Sequence, residues 1–85
     1  MTNNNIKENF MTIVNKKITN AFIGKRIISA GYMTDKEMTQ LGWRKRTLII
    51  KFEDNTIMYA SNDNEGNEAG VLYTSIEGFE IIPTI

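Results

Sequence analysis

The stretch RTLIIKFEDNTIMYAS, residues 46–61, leaves this chain the fewest alternatives. Two apolar runs, 46–53 and 56–61, flank Asp54-Asn55, a pair whose side chains tolerate the positive φ of a β-hairpin turn. Period-two alternation sets Leu48, Ile50 and Phe52 on one face and Thr47, Ile49 and Lys51 on the other. Ile49 and Met58 give the second face apolar side chains of its own. Either the sheet curls into a small barrel or that face meets a partner.

Residues 5–22, NIKENFMTIVNKKITNAF, supply cover for the first face. Ile6, Phe10, Ile13, Val14, Ile18, Ala21 and Phe22 recur at spacings of three and four, which gives a helix one apolar stripe. Asn3 to Asn5 offer an N-cap, and Gly24 sits where a C′ glycine ends a helix. Lys16 and Lys17 lie toward the end at which the macrodipole favours cations. KRIISAGYM, 25–33, reads as a strand with Gly31 as a bulge. In TDKEMTQLGW, Thr34 and Glu37 form a capping box for a short helix over 35–41, which Gly42 stops. VLYTS and FEIIP read as short edge strands, the last closed by Pro83. The expected fold is α+β: an N-terminal amphipathic helix packed on a small, mostly antiparallel curled sheet, barrel-like if it closes. Residues 1–85 make a single domain.

The 85 residues include no Cys and no His. Disulfides, thiolate nucleophiles, the common zinc sites and an imidazole base are therefore excluded. No apolar run approaches the roughly 18 residues of a membrane span. MTNNNIKENF lacks the basic-then-apolar layout of a signal peptide, so the expected location is cytoplasmic. There is no phosphate loop of the GxxxxGK[ST] form, and Ser61, Thr74 and Ser75 have no histidine to activate them. Neither catalysis nor a cofactor is expected.

Charge is divided along the chain. All ten Lys and Arg fall in residues 1–51 with only Glu8, Asp35 and Glu37, a balance of +7. Residues 52–85 carry seven acids and no base, a balance of −7. Such asymmetry marks a nucleic-acid or partner surface, or else two halves that neutralise each other on folding. Between copies the halves would pair in a salt-sensitive way. A rival dimer through Ile49 and Met58 on the sheet face would resist salt, and the apolar version is the expectation.

Two stretches hold the remaining chemistry. SNDNEGNEAG, 61–70, packs three carboxylates, three Asn and two Gly into ten positions. Read as an EF-hand from Ser61, it places Asp63, Glu65 and Gly66 at positions 3, 5 and 6. Leu72 then stands at position 12, where a bidentate Glu is required. A looser divalent site on Asp63, Glu65 and Glu68 is the lesser alternative to a solvated loop whose glycines supply special backbone angles. No metal is expected. GWRKRT, 42–47, offers Trp43 as a stacking face beside the contiguous cations Arg44, Lys45 and Arg46. The competing role for Trp43 is to cap the core beneath the short helix. The expected partner surface comprises Trp43, Arg44, Lys45, Asp63, Glu65 and Glu68.

Over residues 24–74 the pattern MT..E...LGW..R followed by D.EGN..G.L resembles a group of small uncharacterised proteins of bacteria and their phages. Asp54-Asn55 departs from the Asp-Gly turn common in that group. The resemblance implies that the LGW..R turn and the D.EGN..G.L loop belong together. Arg46 is then expected to pair with Asp63 or Glu65, with Gly66, Asn67 and Gly70 shaping the loop it holds. Together with thirteen Ile and ten Asn, residues favoured by AT-rich codons, the resemblance implies a phage-like origin. The expected function is a small non-enzymatic accessory or regulatory module that binds another protein, a host protein if phage-encoded. The alternative is nucleic-acid binding through the basic first half.

Overall fold

The hairpin forms as its alternation requires. β2 (Leu48–Phe52) and β3 (Ile57–Tyr59) pair antiparallel, with Ile49 opposite Tyr59, Ile50 opposite Met58 and Lys51 opposite Ile57. Of the two turn residues, Asn55 takes the positive φ, 71°. Its N–H donates to the Phe52 carbonyl at 3.0 Å. Asp54 closes the turn by accepting from the Thr56 N–H at 3.1 Å and hydroxyl at 2.6 Å, the local side-chain capping that short Asp side chains favour. Cross-strand partners share a face, so Met58 lies with Ile50 and not, as the sequence suggested, with Ile49.

This is a computed structural model that describes residues 3–85, with side chains from Lys7 onward. The N-cap expected from Asn3 to Asn5 and the first apolar position, Ile6, lie outside the described side chains. The backbone order is α1 (Asn3–Phe22), β1 (Ile27–Tyr32), α2 (Asp35–Leu41), β2, β3, β4 (Leu72–Tyr73) and β5 (Ile81–Ile82). β1, β2 and β3 form one antiparallel sheet in that order, and β4 and β5 form a separate antiparallel pair. The fold is α+β, and the three-stranded sheet stays open rather than closing into a barrel.

β1 carries its bulge between Ile27 and Ser29, not at Gly31, which pairs regularly with Ile49. The extra residue is absorbed at the strand entrance because the Arg26 carbonyl is already tied to the Glu53 N–H at 3.0 Å. α2 begins at a complete capping box: Thr34 accepts from the Glu37 N–H at 3.1 Å while Glu37 accepts from the Thr34 N–H at 2.9 Å. Gly42 ends it in the left-handed region, φ 73°. The Glu37 carboxyl is held below its ordinary range, first by the Thr34 backbone N–H and then by the Thr34 hydroxyl and Lys51.

The core lies on the Ile49 face. Met33, Trp43, Ile49 and Ala69 are buried together, with Met38 of α2 packed against them. Thr47, 1 % exposed, donates its hydroxyl to the Gly70 carbonyl at 2.6 Å. A buried hydroxyl with a partner avoids the desolvation cost an unpaired one would carry. The β4–β5 pair is joined to the sheet by reciprocal backbone bonds between Arg46 and Ile85, 2.7 and 3.1 Å, and by the Tyr32 hydroxyl on the Pro83 carbonyl at 2.8 Å.

α1 does not lie along the sheet. It meets it at its C-terminal end, where the Phe22 and Phe52 rings stand 6.3 Å apart. Phe10, 66 % exposed, and Ile18, 51 % exposed, face outward. The connection sets this direction: Gly24 has φ 76°, Lys25 forms an ion pair with Asp54, and Arg26 is bonded to Glu53. The molecule is consequently long, 51 × 28 × 28 Å. Lys16 and Lys17 precede the last turn of α1, which holds no base, so they lie outside the reach of the helix dipole. Among the described residues no helix is long and apolar enough to cross a membrane.

Thr34→Ala removes one half of the capping box and should cost about 1 kcal/mol of stability, read from the urea midpoint at unchanged m-value. Thr34→Ser keeps the hydroxyl and should lose much less.

Candidate functional site

Trp43 follows the αL glycine that ends α2, and this turn drives its indole inward. It is 5 % exposed, edge-on to Tyr59 with ring centroids 5.7 Å apart. Its single polar atom is satisfied: Nε1–H donates to the Gly66 carbonyl at 2.7 Å. Trp43 is therefore a core residue bonded to the tip of the acidic loop, and it offers no stacking face to a partner. Gly66 reaches this position with φ 74°, a conformation glycine adopts without strain.

The loop is closed from within. An isolated antiparallel bridge joins Ser61 to Ala69. Beside it the Asn62 N–H donates to the Glu68 carbonyl at 2.9 Å and the Gly70 N–H to the Ala60 carbonyl at 2.9 Å. The Ser61 hydroxyl also donates to the Glu68 carbonyl, at 3.0 Å. Gly70 stands so close to the opposite chain that a Cβ there would fall 2.7 Å from the Ser61 carbonyl carbon and oxygen and 3.1 Å from the Asn62 nitrogen. Only glycine allows this approach.

Two of the three loop carboxylates are used up in this closure. Asp63 Oδ1 accepts from the Glu65 and Asn67 N–H groups, each at 3.1 Å, and Oδ2 accepts from the Asn67 side-chain amide at 2.8 Å. Glu68 reaches across to the turn after Trp43. Its oxygens accept from the Arg44 N–H at 3.1 and 3.2 Å and from the Lys45 and Ala69 N–H groups at 3.1 Å. Donors converging on a carboxylate favour its charged form. The Asn67 backbone and side chain hold the Asp63 carboxyl below its ordinary range, and the Ala69 N–H, followed by those of Arg44 and Lys45, does the same for Glu68.

Arg46 has a different task from the one its sequence position suggested. It turns toward α2, donating to the Met33 carbonyl at 2.9 Å and forming an ion pair with Asp35, rather than reaching Asp63 or Glu65. Its backbone is already paired with Ile85, which places the side chain at the α2 end of the sheet. The role expected of Arg46 is filled by Glu68 with the sign reversed: an anion gathers backbone amides. Sequence reading missed this because a main-chain donor leaves no trace in residue identity.

What remains at the surface is Arg44, whose side chain is 94 % exposed, with exposed Lys45 and Glu65 nearby in sequence to the clamp. The Arg44 guanidinium stands 3.8 Å from Glu68, and Lys51 pairs with Glu37 at 3.3 Å. Of the ion pairs described, Lys25–Asp54 and Arg44–Glu68 join the basic and acidic segments of the chain, while Arg46–Asp35 and Lys51–Glu37 lie within the first. Among the described residues no three carboxylates gather in a way that could hold a metal ion. Compared with protein-family models, with curated proteins and with solved structures, the chain matches none.

Gly70→Ala forces two backbone segments apart and should cost roughly 1–3 kcal/mol, with Trp43 emission shifting red in the native state as the loop loosens. The carboxylates give a second test. Asp63, Glu68 and Glu37 have depressed pKa values in the folded state, so the unfolded chain takes up protons first as pH falls. Their stabilisation is complete above the ordinary carboxylate pKa, about 4, and is lost progressively below it. The melting temperature should fall on acidification through that value, and Glu68→Gln should flatten the acid limb.

Proposed function

We propose that the chain is a small non-enzymatic protein-binding module, an accessory or regulatory protein whose recognition surface is Glu65 on the clamped 61–70 loop with Arg44 and Lys45 on the turn to which that loop is clamped. The observation that carries this reading is the internal satisfaction of the loop: Asp63 and Glu68 hold its backbone in one conformation while Arg44 projects almost fully into solvent. A loop ordered before binding loses little conformational entropy on meeting a partner. Conformational order without a reacting group is the property of a recognition element.

Support against catalysis comes from the same carboxylates. Asp63 and Glu68 are held ionised by amide donors, which makes them poor proton donors near neutrality. A concavity between the end of α1 and the hairpin turn, lined by Asn20, Ile23, Lys25 and Asp54, lies away from the loop. Support against nucleic acid comes from the cations. Lys25, Arg46 and Lys51 each face a carboxylate, which takes three of the ten cations away from any phosphate track. An origin in a phage, with a host protein as the partner, is the form of this proposal that the sequence pattern and AT-rich composition support.

Arg44→Ala combined with Lys45→Ala keeps the backbone donors to Glu68 and removes only exposed side chains, so it should change stability little and should abolish capture of the partner from a lysate of the source cells. Retention of duplex DNA, single-stranded DNA or RNA in a gel shift at low salt, lost steeply as salt rises, would replace the protein reading with the nucleic-acid one.

A further inference from the structure

The described chain is too open to be a finished unit. Buried hydrophobic residues number five among those described, against nineteen large hydrophobic side chains that are exposed. The accessible surface is 6932 Å², whereas a compact monomer of this mass, 9.7 kDa, exposes roughly 5,100 Å². The radius of gyration is 15.9 Å, against about 12 Å for a compact domain of this length. The excess surface, about 1,800 Å² per chain, comes to about 3,600 Å² for a pair, within the range of about 2,000–5,000 Å² that obligate dimers bury.

Two apolar faces remain, and they are complementary. On α1 the residues Phe10, Val14, Ile18 and Ala21 recur every three or four positions along one side, and Phe10 and Ile18 are more than half exposed. On the sheet an apolar groove is lined by Leu48, Ile50, Met58, Tyr59, Ala60 and Leu72, with Ile50 and Met58 on the face that alternation turns away from Ile49 and Trp43. A 20-residue helix projecting into water is marginal on its own. It cannot turn back onto its own sheet without breaking the contacts that fix its exit, Phe22 on Phe52, Lys25 with Asp54 and Arg26 with Glu53.

We propose that two copies of this chain exchange their N-terminal helices, each α1 seating its Phe10–Ile18 stripe in the Leu48–Met58 groove of the other. The exchange is two-fold, so both faces of both copies are covered by one contact type. It uses a surface separate from Arg44 and Lys45 and leaves the proposed recognition loop free, doubled on one assembly. Because the contact is apolar, it strengthens rather than weakens at high salt.

Sedimentation equilibrium at tens of micromolar protein should give a dimer at 0.1 M and at about 1 M NaCl. Phe10→Lys with Ile18→Lys should yield a monomer with reduced helical circular dichroism and an intact Trp43 core. The chain contains no cysteine, so cross-linking reports the partner face directly. Oxidising a mixture of an Ile18→Cys chain and a Met58→Cys chain should join unlike chains, in an otherwise unaltered background. A monomer at both salt concentrations overturns the exchange. So does a dimer in which Ile18→Cys links only to itself, since that places helix against helix.

Discussion

The joining of the sheet, α2 and the 61–70 loop depends on burying one tryptophan. Trp43 contributes the largest side chain to the core, lying with Met33, Ile49 and Ala69, and burial of an indole releases several kcal/mol only if its N–H finds an acceptor. The Gly66 carbonyl is that acceptor, so the core cannot close unless the acidic loop is folded over it. Glu68 then secures the loop to the turn on which Trp43 itself sits. Core and loop form one cooperative unit, in which an exposed, highly charged segment is as structural as the strands beneath it.

The same economy explains how so acidic a segment is held in one conformation. Carboxylates crowded in a loop repel one another unless their charge is offset, and here backbone amides supply that offset to Asp63 and Glu68. Asp63 gathers donors within the loop, Glu68 gathers them across it, and Glu65 is left to the solvent. One end of the chain is therefore saturated with internal hydrogen bonds. At the other, α1 and the open sheet face carry unpaired apolar surface. As proposed, recognition falls to the clamped loop at one end and assembly to the apolar surface at the other.

How much of this was legible in the sequence depends on the range of the interaction. Short-range signals read cleanly: Thr34 and Glu37 bracket α2, Asn55 takes the αL position of the hairpin, and the alternation of β2 separates Ile49 from Ile50. The association of the Trp43 turn with the 61–70 loop was expected only from the resemblance, not from the residues themselves. Its chemistry was not legible. Arg46 suggested an ion pair, but the linking groups are main-chain amides and carbonyls that every residue possesses. Gly70 could have given the signal, since a glycine without a positive φ points to a close backbone approach. The placement of α1 escaped for another reason. An apolar stripe specifies that a helix needs cover and says nothing of the direction in which its connection to the sheet sends it.

Trp43 is the sole tryptophan, so its fluorescence reports the clamp without a label. The most direct measurement is the emission maximum and acrylamide quenching of the native protein at neutral pH, first with a chelator and then with millimolar calcium or magnesium. A loop closed by its own amides gives blue-shifted, slowly quenched emission in chelator and no change on adding either ion. Red-shifted, rapidly quenched emission that moves to the blue with calcium would contradict it, and would make the 61–70 loop a metal-dependent switch.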